Sequence, residues 1–150
     1  MDLFSNLATG FAVALTPANF GFCFLGALIG TLVGVLPGIA PITTIAILLP
    51  FTFSLPPTSS LIMLAGIFYG AQYGGSTTAI LVNVPGESSS IVTCLDGHQM
   101  AKQGRAGPAL AIAAIASFVA GTFATLVIAT ASVPLSALAL GLPLPIWPPR

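Results

Sequence analysis

Between Asp2 and Glu87 the chain has no charged side chain, so chemistry there must come from hydroxyls, amides and bared backbone. Two clusters concentrate such groups. The first is Gly34-Val-Leu-Pro-Gly-Ile-Ala-Pro41, followed at once by Ile42, Thr43 and Thr44. The second is Tyr73-Gly-Gly-Ser-Thr-Thr78, followed by Asn83-Val-Pro-Gly-Glu87. Pro and Gly interrupt helices, and an interrupted helix bares C=O groups at one new end and N–H groups at the other. The N–H end carries about half a positive charge and suits an anion, while the C=O end suits a cation such as sodium. The residues expected to touch a solute or ion are therefore Gly38, Thr43, Thr44, Gly75, Ser76, Thr77, Thr78 and Asn83. With no Lys or Arg in the apolar stretches, an anionic solute would depend on these dipoles and hydroxyls, with a bound cation balancing the remaining charge. A structural reading stands beside this one. Pro-Gly pairs also make plain kinks in membrane helices, and Ser and Thr hydroxyls bond their own backbone.

The charged residues do not compose a catalytic site. Glu87, Asp96, His98, Lys102 and Arg105 fall in one polar stretch, residues 87–108, which reads as a solvated connector with turns at Asp96-Gly97 and Gly104. Ser88, Ser89 and Ser90 precede Asp96 and His98, but neither G-x-S-x-G nor H-E-x-x-H is present. The glycines do not form a phosphate loop with its lysine, so ATP hydrolysis by this chain is not expected. Cys23 and Cys94 are far apart and have no metal-ligand spacing, and Cys23 reads as a small buried hydrophobe. No enzyme, cofactor or metal site is expected. His98, Lys102 and Arg105 read as headgroup anchors, and Lys102 with Arg105 puts that loop on the cytoplasmic side.

The elements that must position these groups are membrane helices. Hydrophobic residues make up 56% of the 150, charged residues 4%, and the mean hydropathy is +1.07. A soluble domain needs about 25% charged residues to keep its surface wet, so lipid must be the solvent here. The formal net charge of zero leaves no basic field for nucleic acid. Residues 3–15 read as a short amphipathic helix at the interface, ended by Thr16-Pro17, or as a first crossing cut short by Pro17. Residues 19–36 form the first convincing crossing, and residues 42–53 are apolar but too short to span, with Pro41, Pro50 and Pro56-Pro57 as punctuation. A second long helix is expected to start at Ser59, to break at Gly74-Gly75 and to resume over residues 76–84. Pro108 suits the first turn of a last helix reaching Thr130 or beyond. The fold class expected is an all-α membrane bundle with Pro/Gly-broken, discontinuous or re-entrant segments.

Small residues recur every fourth position on three helices: Gly26, Gly30, Gly34 and Gly38; Gly66, Gly70 and Gly74; Ala113, Ser117, Gly121, Thr125 and Ala129. In lipid, helices attract chiefly by close backbone approach, so each ridge predicts a tight helix contact.

The sequence resembles the large membrane subunit of the tripartite tricarboxylate transporters, the TctA family. The stretches that carry the resemblance are LTPANF (15–20), GTLVGVLPGIAP (30–41), LAGIFYGAQYGGSTTAILVNVPGE (64–87) and TCLDGHQMAKQGRAGPALAIAAI (93–115), in order and spacing over residues 3–140. The resemblance implies a multi-pass permease of the bacterial inner membrane, working with a small membrane subunit and a periplasmic solute-binding protein that delivers a carboxylate such as citrate. Transport would be symport coupled to Na+ or H+, and residues 34–41 and 74–87 would fall in the site. The family's chains are several times longer. Residues 1–140 are therefore expected to be the N-terminal part of a permease domain, and the Pro-rich residues 141–150 a disordered or truncated tail. A rival expectation is a non-transporting structural or assembly subunit held by its glycine ridges.

Overall fold

A computed structural model describes residues 3–39 and 41–141; the proline-rich tail from residue 142 lies outside the described residues. Six helices follow in order: α1 (Leu3–Ala14), α2 (Pro17–Gly34), α3 (Pro41–Thr52), α4 (Pro57–Val82), α5 (Ile91–Lys102) and α6 (Ala106–Gly141), with a 3₁₀ turn at Ser88–Ser90. There is no strand among the described residues. The chain divides into two compact units, Met1–Ala113 and Ala114–Arg150.

Pro17 and Pro57 open α2 and α4 from the first turn, where a missing N–H costs nothing. Among the described residues, two helices are long and apolar enough to cross a membrane, Pro17–Gly34 and Ala106–Ser132. The 12 residues of α3 reach about 18 Å, well short of a bilayer core. The 26 residues of α4 reach about 39 Å. Gln72, Tyr73, Ser76, Thr77 and Thr78 make α4 more polar than the two apolar spans, and it carries half of the buried residues described in the first unit.

The first unit is built on α2 against α4. A methyl group added at Gly26, Gly30 or Gly34 would strike the backbone of Met63, Ile67 or Ala71. One added at Gly66, Gly70 or Gly74 would strike the backbone of Cys23, Ala27 or Thr31. Position numbers rise together on both sides, so α2 and α4 run parallel, and α3 is the return between them. Two of the expected ridges thus pack on each other. Gly38 does not join its ridge: it lies beyond the end of α2 with φ +87°, and nothing is within 4 Å of where its Cβ would be. At the start of the pair Ser59 Oγ donates to Asn19 Oδ1 at 2.6 Å, and Asn19 Nδ2 donates to the Val13 carbonyl at 2.8 Å. These bonds, the first of them buried, join α1, α2 and α4.

The structure corrects five local expectations. Cys23, read as a small buried hydrophobe, is exposed on α2, because the buried stripe of that helix is its glycine face. The helix expected to break at Gly74-Gly75 runs unbroken to Val82. Each glycine costs about 1 kcal/mol of helix propensity relative to alanine. At Gly74 that cost is offset by backbone neighbours on α2 that only a glycine admits, whereas a Cβ on Gly75 would meet Gly86 at an ordinary 3.5 Å. Pro50 does not end α3, because it falls in the last turns. Asp96-Gly97 is not a turn but the middle of α5, where the glycine lets Ile80 approach: a Cβ on Gly97 would lie 2.8 Å from Ile80 Cγ1. The connector expected over residues 87–108 is therefore largely a helix packed along α4. Gly104 is a turn, with φ +75°.

The third small-residue ridge lies mostly in the second unit, on the remainder of α6. There the hydroxyls of Thr122, Thr125 and Thr130 are bonded to carbonyls of their own helix.

Candidate substrate and ion site

The first helix interruption lies between Gly34, the last residue of α2, and Pro41, the first of α3. It presents the C=O end of one helix and the N–H end of the next. The N–H groups of Val35 and Leu36 close the end of α2 on the carbonyls of Thr31 and Val33. The Val35 carbonyl accepts the Thr78 hydroxyl at 2.8 Å, and that same hydroxyl lies 3.2 Å from the Gly74 carbonyl. Thr78 is buried, and it ties the end of α2 to the middle of α4's last turns.

The second interruption follows α4. Asn83 ends the helix in the left-handed region, φ 61° and ψ 29°. Asn tolerates this conformation better than other non-glycine residues. The chain then doubles back, so that a Cβ on Gly86 would lie 2.7 Å from the Cα of Gly75 and 3.6 Å from the Gly34 carbonyl oxygen. Gly97 and His98 later meet α4 at Ile80, so after the reversal the chain advances along α4 in α4's own direction. The geometry is re-entrant. Both interruptions meet at one crossing, made by Gly34, Val35, Gly74, Gly75, Thr78 and Gly86.

The exposed backbone ends of the second interruption are partly occupied from within. Among the last carbonyls of α4, that of Ile80 accepts from His98 Nδ1 at 3.0 Å. Glu87 and Ser90 form a reciprocal capping box: the Glu87 side chain accepts from the Ser90 amide, and Ser90 Oγ accepts from the Glu87 amide at 3.2 Å. Ser89 Oγ also donates to Glu87 Oε1. The N–H end predicted to receive an anion at this interruption therefore already holds a carboxylate, the chain's own.

The expected contact residues divide accordingly. Gly75 and Thr78 lie at the crossing. Ser76 and Thr77 are half-buried on α4 beside it, and their hydroxyls donate to the carbonyls of Gln72 and Tyr73 at 3.3 and 3.0 Å. Thr44 is wholly buried near the start of α3, while Thr43 beside it is exposed. Gly38 shapes the turn, and Asn83 is exposed at the reversal. The individually expected contacts left out Gly86 at this crossing and Glu87 next to it, though both fall within residues 74–87, and also Asn19 with Ser59, its distant brace. The signal for Glu87 was present, since it is the sole carboxylate between Asp2 and Asp96. A shallow apolar groove lined by Ile80, Val92, Met100, Ala109 and Ile112 has Asp96 as its charged member and includes none of the crossing residues. No group of three or more His, Cys, Asp or Glu side chains suited to a metal occurs among the described residues.

Parallel helices joined by glycine faces, with re-entrant backbone at their crossing, define a helical integral membrane protein of the broken-helix kind. The model of the tripartite tricarboxylate transporter TctA family matches residues 20–147, and the chain belongs to that family. A relative in Agrobacterium vitis, described as an uncharacterized 52.8 kDa protein in the TAR-I ttuC′ 3′ region, is 65% identical over 140 residues. That alignment covers 93% of this chain and 28% of the relative, so the chain spans little more than a quarter of that relative's length. No solved structure matches the chain.

Proposed function

We propose that the chain forms part of the permease of a binding-protein-dependent secondary transporter, moving tricarboxylates or related carboxylates by symport with Na+ or H+. Its setting is a bacterial inner membrane. Its partners in this reading are a small membrane subunit and a periplasmic solute-binding protein. The observation that supports it is the meeting of both helix interruptions at Gly34, Gly75 and Gly86. Non-helical backbone at membrane depth is tolerated only when it is buried in protein or lines a wet cavity.

The substrate contacts proposed are Gly38, Thr43, Thr44, Gly75, Ser76, Thr77, Thr78 and Asn83. Within this set Gly75 and Thr78 shape the crossing, and the exposed Thr43 hydroxyl and Asn83 amide are the groups turned outward. The N-terminal turn of α3, with Thr43, is the favoured carboxylate end, since the capping box occupies the other. The ridges of α2 and α4 pack on each other within the chain, so the rival structural-subunit reading would draw on the α6 ridge.

The test is uptake of labelled citrate by membrane vesicles holding the whole permease of which this chain forms part, together with the small subunit and the binding protein. Thr43→Val and Asn83→Ala should each lower the rate at least tenfold at unchanged protein level. Unchanged uptake in both variants would remove the site assignment, and no uptake by the wild type would remove the function.

A further inference from the structure

One face of α4, that of Gly66, Gly70 and Gly74, is spent on α2. A second face stays open, and its composition changes along the helix. Leu61 and Ala65 on it are exposed and apolar. The positions that follow are Tyr69, Gln72, Tyr73 and Ser76, the first exposed and the other three half-buried. At 3.6 residues per turn these four fall within about 100° of the circumference and about 10 Å of rise. Beyond them Ile80 is buried against Gly97, so the polar stretch stops where α5 covers the helix.

The fold does not use these side chains for itself. Among the described residues, the phenols of Tyr69 and Tyr73 and the carboxamide of Gln72 make no hydrogen bond. Phe68 meets Tyr69 edge-on with centroids 5.8 Å apart, a contact that engages the ring and not the hydroxyl. The Ser76 hydroxyl has only a 3.3 Å bond to the Gln72 carbonyl of its own helix. Three hydroxyls and one primary amide thus stand together as neutral donors, and such groups are costly to leave unpaired in apolar surroundings. Their strongest match is an anion, because a hydrogen bond to a carboxylate is roughly twice as strong as one between neutral groups.

We infer that this face of α4 binds carboxylate groups of the transported solute, which adds Tyr69, Gln72 and Tyr73 to the contact set. The inference rests on the transport reading above. Tyr69 with Tyr73, and Gln72 with Ser76, are pairs four residues apart and therefore neighbours along the helix surface. A solute with more than one carboxylate is met at two levels about 6 Å apart. The face is continuous with the crossing, since Ser76 follows Gly75, against which Gly86 is folded. The two levels make the chemistry selective: a monocarboxylate fills one and leaves the donors of the other unpaired.

The test uses membrane vesicles holding the whole permease with its small subunit and binding protein, and reads KM for labelled citrate. KM does not depend on how much protein folds, so it reports the site and not the yield. Tyr73→Phe removes a single oxygen, and Gln72→Met removes the amide at similar size; each should raise KM about tenfold, the usual worth of a hydrogen bond to a charged group. Gln72→Glu keeps size and polarity but adds a negative charge, and should raise KM at least a hundredfold. An unchanged KM in Tyr73→Phe and Gln72→Glu overturns the inference and leaves the transport reading standing. Loss of the small subunit on purification of Tyr73→Phe or Gln72→Glu, with KM unchanged in the assemblies that remain, makes this a helix-docking face and also overturns it. Absence of citrate uptake in the wild type overturns the transport reading, and the carboxylate face with it.

Discussion

Gly86 lies against Gly75 so closely that a methyl group on Gly86 would sit 2.7 Å from the Gly75 Cα, whereas one on Gly75 would find Gly86 at an ordinary 3.5 Å. The contact is unequal, and the inequality can be measured. Gly86→Ala should destabilise the reversal by about 1–3 kcal/mol, the usual cost of overpacking. Gly75→Ala should be tolerated or slightly stabilising. Amide exchange over residues 83–90 reads the difference, and equal effects of the two substitutions would refute the packing described.

The α2–α4 face makes a second prediction. A Cβ at Gly30 would press on the Ile67 carbonyl oxygen and lie 2.8 Å from the Ile67 Cα, both backbone atoms that cannot step aside. Gly21, on the same helix, has nothing within 4 Å. Gly30→Ala should therefore separate the helices and lower the melting temperature in detergent. Gly21→Ala should leave it unchanged or raise stability by up to about 1 kcal/mol through helix propensity.

Thr78 and Thr77 are neighbours with different duties. The Thr78 hydroxyl bridges from α4 to the Val35 carbonyl, and Thr77 bonds only the Tyr73 carbonyl of its own helix. Thr78→Val keeps the shape and leaves the Val35 carbonyl without its donor, at about 1 kcal/mol, the usual net worth of a hydrogen bond. Thr78→Ser should restore most of that, and Thr77→Val should cost well under 1 kcal/mol, because a hydroxyl bonded back to its own helix contributes little. Thermal unfolding of the three variants gives the order.

Asn83 supplies the backbone conformation that starts the re-entrant loop, at φ 61°. Asn83→Gly should preserve the loop, while Asn83→Val should cost about 1–2 kcal/mol or more, since a β-branched residue is strained there. Protection of the Ser90 amide is the local readout. If Asn83→Val leaves it intact, the left-handed cap is not what reverses the chain.

Several elements were legible in the residues alone because their signals are local. Thr16-Pro17 marks the end of α1, Pro108 falls in the first turn of α6, and Gly104 makes its turn. The four-residue spacing of Gly26, Gly30 and Gly34 and of Gly66, Gly70 and Gly74 marked two packing faces before either had a partner. The state of Gly74-Gly75 was not legible. A glycine pair weakens a helix by itself, and only the neighbours across it show whether the helix continues. Asp96-Gly97 misled for the same reason, since Ile80 occupies the space that the glycine leaves.

The sequence by itself determined the solvent, the helical class and the family, because apolar runs, proline positions and small-residue spacing act through short-range physics. Only the tertiary structure decided that α2 and α4 run parallel, that α4 passes through its glycine pair, and that Gly86 is drawn back against Gly75. Those outcomes turn on which backbone atoms meet across segments distant in the chain. Spacing along one helix can announce a missing side chain, but it cannot say what fills the gap.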